Sequence, residues 1–421
     1  MKYLLPSLLL CPLLLGGCDK KSEAPAPAAE VSAITSPSGE TDAIQRIAGG
    51  VGSRVFVVER EREALAVYDL DSRTLLPQRI EGLGNMRHAV MAFSPDLRFG
   101  YVATRKGKLS RIDLETLKKA GEVQVSENSI DIAITQDGRF IATAEYIPGG
   151  VTLLDAKTLK VAAKLPANIE RGGKKTDSRV TGIVDAPGNR LVCVLIEGAE
   201  IWVIDASKAT PSIEHRIKTS TDMPYDAMIT PNGRHYVVGH MGSKHVSVLD
   251  VAHPERGVRE VSLEDPSANT KRSTPVKLPH MASWAVARSR VFVPLVGEAR
   301  LVVLRENDFT FERSVKLRGH PVYTVASPTG AELWVSFSGE ADDAFIQVID
   351  TETLEPKQEI RVGKRIYHMD FLPRGSHVLV SANRDNKLAL VDARHYEVVD
   401  EETLPSPSGV FGAWRAFRIG L

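Results

Sequence analysis

Net charge is the first thing this chain lacks. Its 53 Lys and Arg balance 53 Asp and Glu, and no basic stripe interrupts the balance, so neither nucleic acid nor an anionic membrane surface is expected as a partner. Cysteine is nearly absent too. Of the three, Cys11 and Cys18 lie near the N-terminus and Cys193 sits in the apolar stretch 191–196. One remaining thiol builds no disulfide, zinc ribbon or iron–sulfur cluster, and it reads as an inert core residue. No Cys-x-x-Cys-His occurs, which excludes a covalent c-type haem. A Gly-x-Gly-x-x-Gly in a βαβ unit is also missing, so no nicotinamide site is expected. The one long apolar run covers residues 3–15, too short to span a bilayer as a stable helix.

What is present at the N-terminus is an export pattern. Lys2, the apolar run and Leu15-Gly16-Gly17-Cys18 have the order of a secretory signal with a small-residue cleavage site. The cysteine directly after the small residues resembles a bacterial lipoprotein acylation site. Residues 1–17 are thus expected to be a signal peptide, with Cys18 lipidated and the protein held by its lipid anchor at the periplasmic face of a membrane. Asp19 suggests the inner one. Residues 18–50, with an Ala-Pro run at 24–29, read as a disordered tether to a domain spanning 51–421.

That domain repeats. At intervals of about 40 to 55 residues a strand-like stretch opens on a polar residue, and an apolar run, usually capped by Asp, closes it about 25 residues later. The openings are His88, Asp131 with Asn128, Arg179, Tyr225, His280, His320 and His368; the closings are Asp113, Asp155, Asp205, Asp250, Leu304, Asp350 and Asp392. Turn signals such as Ser94-Pro95-Asp96, Gln136-Asp137-Gly138 and Pro231-Asn232-Gly233 punctuate β-branched runs. Units of this length made of four short strands predict an all-β fold, an eight-bladed β-propeller, with seven blades as the alternative. Closure is expected from both ends of the chain, with 54–58 and 64–70 as middle strands and 410–418 as the inner strand of one blade. In such a fold the openings of successive inner strands converge on one rim. Each also admits a purely structural role, but His is scarce, at 11 in the chain, and four of the openings carry it.

Around the first of these the chain reads Gly84-Asn85-Met86-Arg87-His88-Ala89-Val90, then Tyr101-Val102-Ala103-Thr104-Arg105 and Arg111-Ile112-Asp113. Ala144-Glu145-Tyr146, Gly149-Gly150-Val151, Asp177-Ser178-Arg179-Val180 and Ser406-Pro407-Ser408-Gly409 continue the pattern. Over 50–421 this resembles the haem d1 domain of the cytochrome cd1 nitrite reductases. With the lipobox and without a c-haem domain, it is similar within that superfamily to proteins of haem d1 biosynthesis. The resemblance implies a protein of denitrifying metabolism that binds haem d1 or dihydro-haem d1 in a late biosynthetic step, as enzyme or carrier. It also implies a downstream haem d1 dehydrogenase and cytochrome cd1 nitrite reductase as partners. His88 matches the proximal iron ligand, Arg105 and Arg179 fall where basic groups flank the macrocycle, and His280 sits about where one distal histidine lies. Tyr225 replaces the other distal histidine, and an arginine expected near Asn128 is absent. Both departures argue against nitrite reduction.

The residues themselves suit a flat tetrapyrrole. It needs an axial nitrogen, for which His88 is the first candidate with His280, His320 and His368 on other blades. Its carboxylates need planar cations, which Arg179 and Arg105 supply with Arg171, Lys174 and Lys175 on the loop before Arg179. Ring-face contacts are expected from Tyr146, Tyr323, Trp284, Met281 and Phe411. Asp177, His280 and Tyr225 are the catalytic candidates; strict strand alternation would turn Asp226 away from Tyr225. A different class, a lipoprotein scaffold whose propeller rim binds protein without catalysis, stands as the alternative.

Overall fold

The computed structural model describes residues 50–420, except 220–222, 244 and 265–283. The predicted signal peptide, Cys18, Asp19, the tether up to residue 49, His280 and Met281 lie outside the described residues.

Eight four-stranded antiparallel sheets make up the domain. Their inner strands are, from blade 1 to blade 8, Pro407–Gly412, Val90–Phe93, Asn128–Ile134, Val180–Ala186, Pro224–Ile229, Ala285–Ala287, His320–Ala326 and Ile366–Phe371. Within each blade the chain runs from the inner strand outward, so the inner strands are parallel and open on the same face. Blade 1 is the composite one. Its inner strand comes from the C-terminus and pairs with Arg54–Glu59, followed by Ala64–Asp69 and Thr74–Ile80. Every blade is therefore complete, and the radial arrangement leaves only short, protected edges.

The second and third strands are buried nearly end to end, as in the unbroken burial of 54–59 and 64–69. Fourth strands alternate, as at Glu397–Thr403, because only one of their faces meets a neighbouring blade. Val, Ile and Leu from adjoining blades fill each interblade layer, and no blade could bury its faces alone.

The Asp that closes six of the seven sequence repeats has a mechanical role. Asp113 accepts the amides of Glu115 and Thr116, Asp350 those of Glu352 and Thr353, and Asp392 those of Arg394 and His395. Each carboxylate folds the turn that follows the third strand. The Ser/Thr-x-Asp/Asn turns recur similarly, with the Ser94, Thr135 and Thr230 hydroxyls bonded to Asp96, Asp137 and Asn232 at 2.6–2.7 Å. Much of the periodicity in the sequence is thus turn chemistry.

Two expectations need revision. The C-terminal inner strand covers 407–412, not 410–418, because the chain turns into a short 3-10 helix, Ala413–Phe417. That turn delivers Arg415 to Asp370 at 3.0 Å, with both side chains buried. The segment before Arg179 is also not a loop. Asn168–Arg171 and Lys174–Asp177 form a two-stranded hairpin outside the blades.

Candidate functional site

The mouth where the inner strands open is built from those openings and from the turns between second and third strands. One recurrent irregularity shapes it. The inner strands of blades 3, 4, 5, 7 and 8 each carry a register shift near their start, at 129–131, 181–184, 224–226, 321–323 and 366–368. A bulge here bends the strand and re-aims consecutive side chains. It explains why Tyr225 and Asp226 are both half-buried instead of facing opposite ways.

Arg105, Tyr146, Arg179 and Tyr225 come together. Arg105, in the turn after the second strand of blade 2, stands 5.1 Å from the Tyr146 ring centre, and Arg179 stands 5.4 Å from it. Two cations thus flank one aromatic ring, an arrangement its quadrupole favours. Tyr146 is therefore an element of the cationic group. Its hydroxyl is buried beside the Tyr225 hydroxyl. Burial raises its pKa, the neighbouring Tyr225 hydroxyl adds to the rise, and the two arginines oppose it. Asn128 lies one strand away, paired with Ile147, and its Oδ1 is buried without a partner. Where Asn128 stands, the resemblance had led us to expect an arginine.

The two arginines differ in a way the sequence does not show. Arg179 is held by Glu197, Nη2 to Oε1 at 2.6 Å and Nε to Oε1 at 2.7 Å, while its backbone amide reaches Oε2 at 2.8 Å. Burial pulls the Glu197 pKa up, but the bonds and charge of Arg179 outweigh it and hold the carboxyl below its usual range. Arg105 forms no ion pair among the described residues and is half-buried against Tyr146. Of the two, Arg105 is the cation left without an acid. Glu197 was missed from sequence; nothing about a Glu in a turn distinguishes it until the fold sets it beside Arg179.

The histidines scatter. His88 is exposed on the turn before blade 2, in the left-handed conformation at φ 54°. His320 is exposed, with Nδ1 3.0 Å from the carbonyl of Val296. His368 is not on the rim. Only 9% exposed, it stacks 4.3 Å from Tyr323 and 5.7 Å from Phe411, and its Nδ1 accepts the Val410 amide at 3.4 Å. Burial, with Arg415 nearby, drives its pKa well down, so a neutral imidazole is packed in the wall of the channel. The bulge before it turns it inward. Tyr323, Phe411 and Trp284 are buried as well, so they offer no open ring face. Lys174 and Asp177 are exposed on the hairpin. Apolar surface at the mouth comes instead from Ile147 and Met241, 51% and 41% exposed.

With this arrangement in view, comparison with known proteins is specific. The model of the cytochrome D1 heme domain matches residues 51–416. The chain belongs to that family. It is 37% identical over 372 residues to Protein NirF of Pseudomonas aeruginosa, covering 88% of this chain and 94% of that one. Protein NirF of Stutzerimonas stutzeri is 35% identical with the same coverage. Dihydro-heme d1 dehydrogenase of Pseudomonas aeruginosa is more distant, at 27% over 77% of this chain and 64% of its own length. Among solved structures, dihydro-heme d1 dehydrogenase NirN in complex with DHE superposes with a TM-score of 0.76 over 88% of this chain and 77% of that one, at 23% identity. That likeness concerns the fold.

Proposed function

We propose that the mouth binds a haem d1-type tetrapyrrole, haem d1 or its dihydro precursor, and that the protein acts in a late step of haem d1 biosynthesis. The observation that carries this reading is the group at blades 2 to 5: an arginine without an acid partner among the described residues, set over the Tyr146 ring, with a buried Asn128 Oδ1 that lacks a hydrogen bond close by. A buried polar atom without a partner is costly: a carboxylate on an anionic ligand would pair with the arginine, and a donor on the same ligand would satisfy the Asn128 oxygen. Family membership and the DHE held by the dehydrogenase NirN support the choice of ligand. Bound there, the tetrapyrrole contributes the redox chemistry of its iron.

The chain's own residues divide the work of holding it. His88 would offer an imidazole nitrogen from the rim to the iron. Arg105 offers a planar fork to a peripheral carboxylate. Arg179, fixed by Glu197, braces Tyr146 and orients the group. Ile147 and Met241 supply apolar contact. Tyr225, whose hydroxyl neighbours that of Tyr146, offers a hydrogen-bonding group. Cys18 lipidation at the periplasmic face would keep the mouth near a downstream dehydrogenase and the nitrite reductase that receives the finished cofactor.

Mixing the purified protein with haem d1 should shift the Soret band and give the ligand-field signature of histidine coordination. His88→Ala should lose that signature. Arg105→Gln should weaken binding roughly 10- to 100-fold, the worth of one charged hydrogen bond. No spectral change at micromolar concentrations would overturn the reading and leave the propeller as a protein-interaction module. Turnover of the dihydro precursor with a defined electron acceptor separates enzyme from carrier.

A further inference from the structure

The arc of the mouth formed by blades 7, 8 and 1 takes no part in the group around Tyr146, yet it holds a second group of the same composition. Tyr367, in the inner strand of blade 8, is half-buried. Arg60 stands 5.1 Å from its ring centre and Arg365 stands 5.4 Å from it. The positions repeat those of the first group. Arg60 lies in the turn between the second and third strands of blade 1, as Arg105 does in blade 2, and Arg365 immediately precedes the inner strand of blade 8, as Arg179 precedes that of blade 4. Blades 4 and 8 lie half a turn apart in a ring of eight, so Arg179 and Arg365 enter the mouth from opposite sides.

Hydrogen bonds fix the backbone under both side chains. The Arg365 amide bonds the Asp343 carbonyl at 3.0 Å, and the Arg365 carbonyl accepts the Asn383 amide at 3.1 Å. The Asn383 side chain in turn bonds the Pro407 carbonyl at 3.0 Å, and the Arg60 amide bonds the Ser406 carbonyl at 3.2 Å. Blades 7, 8 and 1 are thus laced together beneath the group. What it lacks is an acid. Among the described residues neither Arg60, half-buried, nor Arg365, exposed, forms an ion pair. The acids on the same turns are engaged elsewhere: Glu59 pairs with Arg79 at 2.8 Å, Glu340 with Arg384 at 3.4 Å, and Asp385 accepts the Lys364 amide at 2.9 Å. The first group differs in this respect, because Glu197 offsets the charge of Arg179. An aromatic quadrupole attracts a guanidinium, but it cancels no net charge, so two of them against Tyr367 leave an excess of positive charge open to solvent. Planar guanidinium forks in that state are the groups that bind carboxylates best.

We propose that Arg60 and Arg365 form a second anion site, which takes a carboxylate of the bound tetrapyrrole other than the one taken by Arg105. This rests on the function proposed above. A flat ring held at one edge by a single arginine can still turn in its own plane. A second ion pair from blades 8 and 1 removes that freedom and decides which peripheral group faces Tyr225. In the order of the ring the two sites lie on either side of the turn that carries His88. Arg384, on the same arc, has no part in this, since Glu340 already holds it.

The test compares haem d1 with its methyl ester, titrated against the full-length protein. Wild type should prefer the free acid. Arg60→Gln with Arg365→Gln should lower affinity for the free acid roughly 10- to 100-fold and leave binding of the ester unchanged, which also shows that the mouth is intact. Arg384→Gln should behave as wild type. Adding Arg105→Gln to the double variant should multiply the two losses, as independent contacts do. Equal binding of the free acid by wild type and the double variant overturns the inference alone, as does an equal loss for acid and ester. A triple variant no weaker than Arg105→Gln by itself overturns it too, because the arginines would then share one carboxylate. Failure of wild type to bind either compound overturns the proposed function, and the second site falls with it.

Discussion

Asp131 lies in the inner strand of blade 3, three residues beyond Asn128, and illustrates how much a single side chain depends on its neighbours. Its carboxylate accepts the Ile132 amide at 3.0 Å. Even so, burial pushes its pKa up to about 7, against the partial relief of bonds from the backbone of Ile132, Ile183 and Gly182. In an unfolded chain the same group titrates near about 3.9. Between those two values the folded state binds the extra proton, so stability is fully present below the unfolded value and declines as pH rises through the folded one. Asp131→Asn keeps an acceptor and removes the charge. Its melting temperature should exceed that of wild type at pH 8, with the advantage shrinking to nothing near pH 4. A gain that is independent of pH would show that the carboxylate is not protonated in the fold as described. His368 makes a related point: its type suggested a ligand, but the packing of Tyr323 and Phe411 makes it a wall residue.

Among the elements, the bulged inner strands have most influence on the site. At blade 4 the bulge passes through Gly182, at φ 61°. A Cβ there would come within 3.1 Å of the Ala227 side chain and amide and of the Tyr236 hydroxyl, and that hydroxyl is bonded to the Gly182 carbonyl at 2.6 Å. Both the left-handed conformation and the close approach require glycine. Gly182→Ala should cost roughly 1–2 kcal/mol from the conformation, with the crowding adding to it, as measured by urea denaturation. Gly173→Ala, at φ 74° with nothing within 4 Å, should cost only the conformational part. A bulge is an insertion relative to strict alternation, and a hydrophobic pattern of period two carries no mark of it. This is why Asp226 looked mispositioned in the sequence while Tyr225 did not.

For the whole molecule, the decisive event is closure of blade 1. Strand 407–412 pairs with 54–59, and the helical turn after it inserts Arg415 beside Asp370 of blade 8. The coupling ties the last residues of the chain to the neighbouring blade as well as to the first strand. Breaking a buried ion pair from one side leaves an uncompensated charge and costs about 3–5 kcal/mol. Asp370→Ala should therefore lower the calorimetric melting temperature of the entire domain by several degrees, and do so in a single transition, because no blade is stable apart from its neighbours. Separate melting of blade 8 or blade 1 would contradict that cooperativity.

The blades were legible in the sequence because each is local: β-branched runs, a Ser/Thr-x-Asp/Asn turn and an Asp folding the next turn recur within one unit. Closure by the two termini was legible for the same reason, since one unit was visibly split, although Trp414 and Arg415 read as strand until Asp370 supplied a partner for a helical turn. The convergence of Asn128, Arg179 and Tyr225 followed from the repeat alone, and Arg105 joined them by the family resemblance. What only the tertiary structure decided was how each residue is used there. Glu197, in a turn, binds Arg179 and leaves Arg105 without an acid, and bulges swing His368 into the wall. Strand order is set by short-range propensity and turn chemistry, whereas the partner of a charge is set by which distant segments the ring brings within a few ångströms.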